Sequence, residues 1–141
     1  MRKKRKEPSW LDDSKGWVAI TFEMIKSEAY RELKEKSLKT FILLMMKNKN
    51  KHPIERFRYQ FPLTYAEAKR NNIPAASFHR AIKKLHQVGF IDITVRGGLR
   101  GVSKYPTHYR LSQRWKKYGT PTFIELPDGH ATEIQGDYLN E

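Results

Sequence analysis

Apolar positions recur along this chain with two periods, and the switching between them predicts its elements. Leu38, Phe41, Ile42, Leu44 and Met45 fall at helical spacing, and Leu43 and Met46 broaden the stripe. A helix over 38–49, capped by Ser37, is therefore expected at the centre of the core. Ser27 can cap a shorter helix before it, EAYRELKEK, with Ala29, Tyr30 and Leu33 on one face. Trp17 to Met24 is mostly apolar and β-branched, which predicts a short strand or an extended lead-in. From Arg56 to Leu63 the period drops to two: Phe57, Tyr59 and Phe61 alternate with Arg56, Arg58 and Gln60, a half-buried strand ended by Pro62.

The second half reads more sharply. Thr64 can cap a helix over YAEAKRN, with Glu67 at the capping-box position, and Asn71-Asn72 stop it. Another helix opens near Pro74, whose missing N–H costs nothing in a first turn, and runs to Gly89, which can supply a left-handed terminus. Strands are expected over 90–95 and 107–111, joined by a basic, glycine-containing loop, RGGLRGVSKYP. The FIEL segment near 123 could add an edge strand. The fold class is therefore mainly α with a small antiparallel sheet.

Charge changes the picture from fold to partner. The 141 residues carry a formal charge of +13, with 28 Lys+Arg against 15 Asp+Glu. Residues 112–141 hold three basic and five acidic residues, so the excess belongs to residues 1–111. Such an excess calls for a polyanionic partner. Residues 1–16 open with the basic run Arg2 to Lys6 and lack apolar periodicity. They read equally as a phosphate-binding arm or a solvated tail. The organisation expected is this arm, a domain over 17–111, and an acidic tail over 112–141. Without cysteine there are no disulfides, thiolate nucleophiles or cysteine zinc sites. No stretch approaches the ~18 apolar residues of a membrane span, and no apolar segment of signal-peptide type follows the basic start. A cytoplasmic, nucleoid-associated protein is expected.

The ordered set of helix, tight turn, helix, strand, basic loop and strand resembles the winged helix-turn-helix family. TYAEAKRNNIPAASFHRAIKKLHQVGF, residues 64–90, carries the resemblance, and GFIDITV with THYRLS resembles the wing strands. It covers about residues 56–112. Asn72 stands where the family often has glycine, Ile73 is the apolar anchor of the turn, and Ala66 and Ala68 are the small residues of the first helix. The resemblance implies a helix-turn-helix over about 64–89, a wing over about 90–111, and duplex-DNA binding. The segment before it is similar, more vaguely, to leaders of winged-helix proteins from plasmids, phages and other mobile elements. That implies a transcriptional regulator or a replication initiation protein without dividing the two.

Helical geometry agrees. At 100° per residue, Phe78, Ala81, Ile82, Leu85 and Val88 share one side of the second helix, and Ala76, Arg80, Lys83 and Gln87 point the other way. Ser77, His79 and Lys84 flank them. Small residues near the N-terminus permit close approach to a major groove, and Ser77 can donate to a phosphate or a base. Arg80 suits a bidentate contact to guanine. Lys83 and Lys84 suit phosphates. In the loop, Arg96, Arg100 and Lys104 are placed for the backbone or the minor groove. The DNA-binding set is thus Ala76, Ser77, His79, Arg80, Lys83, Lys84, Arg96, Arg100 and Lys104.

Enzymatic chemistry finds no foothold. No nucleophile elbow is present, Asp92 stands alone among the basic residues of its region, and the five histidines have no convincing metal spacing. No cofactor or metal is expected. The rival to DNA binding is a winged-helix module whose basic face meets RNA or an acidic protein. A homodimer through the 38–49 helix is conceivable, and burial within one chain explains that helix equally.

Overall fold

The computed structural model describes residues 16–48, 55–95 and 106–126. These form an α+β structure of five helices and a three-stranded antiparallel sheet. The helices are α1 (Phe22–Lys26), α2 (Glu28–Arg31), α3 (Glu35–Lys47), α4 (Tyr65–Arg70) and α5 (Ala75–Val88). The strands are β1 (Phe61–Pro62), β2 (Ile91–Val95) and β3 (His108–Leu111). β3 lies in the middle of the sheet, Tyr109 facing Phe61 on one side and Ile93 on the other.

α3 packs along α5, and β2 of the sheet lies against α5. Phe41 meets Phe90 at 4.8 Å between ring centroids, and Phe90 stacks on Trp115 at 5.6 Å. Of the stripe predicted on α3, Phe41, Leu43 and Leu44 are buried within this chain, Leu38, Ile42 and Met45 are half-buried, and Met46 is exposed. Phe78, Ala81, Ile82, Leu85 and Val88 are buried as their spacing predicts.

Local signals in the second half act as expected. The Thr64 hydroxyl accepts from the Glu67 N–H at 3.1 Å. The Glu67 carboxylate turns instead to Lys47 at 2.7 Å and ties α4 to the end of α3. Asn72 adopts φ 61°, and the Ile73 N–H closes back on the Ala68 carbonyl at 2.9 Å, which sinks Ile73 into the core. Gly89 has φ 94°, and a Cβ there would lie 2.6 Å from the Trp115 nitrogen. Glycine is required both for the left-handed turn and for the close approach.

The first half departs from its pattern. The lead-in over 17–24 is not a strand: Thr21 accepts from the Met24 N–H at 3.2 Å and caps α1, which buries none of its residues. Ser27 caps α2, yet that helix stops at Arg31, and α3 starts at Glu35 with Lys34 extended before it. Ser37 is thus inside the helix and buried rather than its cap. The alternating stretch 56–63 becomes a 3-10 turn at Glu55–Phe57 and only the two-residue β1. Asn48 donates to the Arg56 carbonyl at 2.7 Å, which holds that backbone in a turn.

Packed structure also continues past 111, where an acidic tail was expected to begin. A 3-10 turn, Arg114–Lys117, drives Arg114 and Trp115 into the interior. Residues 118–126 then lie back on the body as a strap: Tyr118 and Phe123 meet edge to face at 5.2 Å, and FIEL forms no strand. Net charge and proline content masked a segment that two side chains anchor. No helix of the described residues is long and apolar enough to cross a membrane.

Candidate nucleic-acid interface

α5 has a sealed side and an open side. Six of its residues are buried (Phe78, Ala81, Ile82, Leu85, His86 and Val88) and turn inward. Ala76, His79, Arg80, Lys83 and Gln87 are exposed, on a continuous sector about 100° wide. The helix contains no acidic residue, and no side chain caps its N-terminus at Pro74. The N–H groups of its first turn therefore add a partial positive charge to the cations further along. Tyr65 of α4 leans edge-on against Phe78 at 5.2 Å and supports this end from beneath.

The residues chosen from spacing do not all share this surface. Ala76, His79, Arg80 and Lys83 lie together on the open sector. Among the described residues no carboxylate forms an ion pair with Arg80. Ser77 is half-buried at the border. Lys84 is half-buried on the same border and reaches Glu32 at 3.7 Å, so part of its charge is spent within the chain. Arg96, Arg100 and Lys104, like the arm Arg2 to Lys6, fall outside the described residues. The strands that carry the 96–105 loop are in place: β2 and β3 pair antiparallel, with a bulge between Ile93 and Val95.

Other cations were passed over in the sequence. Lys69 and Arg70 are exposed in the last turn of α4, immediately before the turn that leads into α5. Their place at a helix end immediately before the turn into α5 was the available signal. His86, by contrast, lies two turns from His79 and is buried.

An acidic cleft bounds the surface. It has a volume of about 560 Å³ and lies between α2, the end of α5 and the strap, with Gln87, Glu28, Glu32, Glu125 and Tyr118 in its wall. Burial, then the negative charges of Glu32 and Glu125, push the Tyr118 phenol above its usual value of 10.0. Carboxylates at this end disfavour phosphates, so the cationic character of α5 is concentrated in the turns from Ala76 to Lys83. Among the described residues, no group of three His, Asp or Glu could hold a metal ion.

No family model matches the chain, and neither a curated protein nor a solved structure matches it.

Proposed function

We propose that this chain is a duplex-DNA-binding protein of winged helix-turn-helix architecture, acting as a transcriptional regulator or a plasmid- or phage-type replication initiation protein beside the nucleoid. The open sector of α5 carries the reading. It combines small residues near an uncapped helix N-terminus, one exposed arginine, further cations and no acid. In this reading the N-terminal turns of α5 enter the major groove. Arg80 reads a base, Lys83 meets phosphate, and the loop over 96–105, with Arg96, Arg100 and Lys104, follows the backbone or the minor groove.

Binding to random-sequence duplexes at two salt concentrations tests it. Counterion release makes log K fall with log salt at about −0.9 per phosphate contacted. Absence of duplex binding at about 50 mM salt, with tight binding to RNA or to an acidic protein, overturns the proposal. Selection from a random duplex pool then defines the site, and a palindromic result reports a symmetric dimer.

A further inference from the structure

The guanidinium of Arg114 joins three parts of the fold. Its Nε donates to Asp92 Oδ1 of β2 at 2.9 Å. Its Nη2 donates to the His86 carbonyl in the last turn of α5 at 2.8 Å and to the Ile91 carbonyl at 3.0 Å. Its Nη1 donates to the Ile124 carbonyl of the strap at 2.9 Å. The other Asp92 oxygen accepts from Arg110 Nη2 of β3 at 3.1 Å. The side chains of Arg114 and Asp92 are fully buried. Beside them the Trp115 N–H donates to the Gly89 carbonyl at 3.1 Å and the Ser112 N–H to the Phe90 carbonyl at 2.9 Å.

Burying guanidinium and carboxylate groups is a costly way to hold a core together, because well-packed apolar side chains do so without desolvating charge. What a planar five-donor fork supplies is direction. Each acceptor constrains the angle of the others, and the cation sits at the carbonyl end of α5, where the helix dipole favours it. We infer that Arg114 is the positioning residue of the α5 surface. It locks the end of α5 to β2 and to the strap, and so sets the direction in which Ala76, Arg80 and Lys83 are presented. This rests on the DNA-binding reading. The lever is long: fourteen residues span about 21 Å, so a tilt of about 10° at the C-terminal end moves the first turn by about 4 Å. A hydrogen bond to a base edge does not survive that displacement.

The test compares the affinity of the full chain for its selected duplex with that for a scrambled duplex, in the native protein and in Arg114→Lys, which keeps the charge but loses the fork. Loss of folded protein weakens both affinities by one factor and leaves their ratio unchanged. Misdirection of α5 lowers the ratio alone. We expect the ratio to fall about tenfold or more while scrambled-duplex binding, corrected for the folded fraction measured by circular dichroism, stays within about twofold. An unchanged ratio overturns the positioning role and leaves the DNA reading standing. A native protein that does not bind duplex, or does not distinguish the two duplexes, overturns the inference at its premise. If Arg114→Lys does not fold, Arg110→Lys loosens Asp92 from the sheet side; a smaller fall in the ratio is then expected, and an unchanged ratio is again decisive against the proposal.

Discussion

Arg80 and Arg114 carry the same guanidinium into opposite surroundings. Arg80 stands on the open sector of α5, in water, without a carboxylate partner among the described residues. Arg114 is fully buried, with Nε and both terminal nitrogens donating to Asp92, His86, Ile91 and Ile124. Both count equally in the formal charge of +13. The first is exposed to solvent, and the second is engaged inside the fold. Lys47 on Glu67 and Lys84 on Glu32 lie between these extremes. Net charge thus overstates the exposed cationic surface, and the location of each cation decides its role.

Substitutions that separate stability from binding should break this comparison if it is wrong. The largest effect is expected from Arg114→Ala, which breaks the buried Arg114–Asp92 pair and removes its hydrogen bonds to three carbonyls, and should cost about 3–5 kcal/mol in urea unfolding. Arg80→Ala should change the same measurement by less than about 0.5 kcal/mol. Gly89→Ala comes next, at about 2–3 kcal/mol in thermal unfolding, because strain at positive φ adds to the clash with Trp115. Arg80→Ala should instead cost about 1–3 kcal/mol of discrimination between selected and mismatched duplexes in a binding titration. Thr64→Ala removes the cap of α4 and should cost about 1 kcal/mol in urea unfolding.

The smallest effect concerns pH. The folded state holds the Tyr118 phenol above 10.0, chiefly by burial and then by the charges of Glu32 and Glu125. The neutral form is the one the fold favours. Its contribution is complete below the unfolded value and is lost as pH rises through the raised folded one. Stability followed across pH 9–12 (about the range in which tyrosine ionises) should fall less steeply in Tyr118→Phe than in the native chain. An identical decline in both would contradict this account of the cleft.

Much of the second half was legible because its signals are local. Thr64 and Asn72 act on backbone groups within four residues of themselves, the left-handed turn at Gly89 closes on Leu85, and the stripe of α5 follows from helical geometry alone. The first half was harder. Two-residue alternation over 56–63 obeys the strand rule, but a strand also needs a partner along its length, and β3 offers β1 only two positions, Tyr109 and His108. Lys84 fits the border of the open sector of α5 by angle, and no feature of α5 itself discloses that Glu32 lies beside it. The strap was hidden for a similar reason. Its anchor is Arg114, which the composition records as one more cation.

Periodicity, capping residues and the need for a left-handed glycine were set along the chain itself, and with them the elements around α5 and the cationic sector it presents. Tertiary contact decided which cations are drawn into ion pairs and where the end of α5 is anchored. Asp92 and Arg114 stand 22 residues apart, and His86 and Arg114 28. Their interaction owes its strength to the exclusion of water at one point in space, a condition no local pattern of residues encodes.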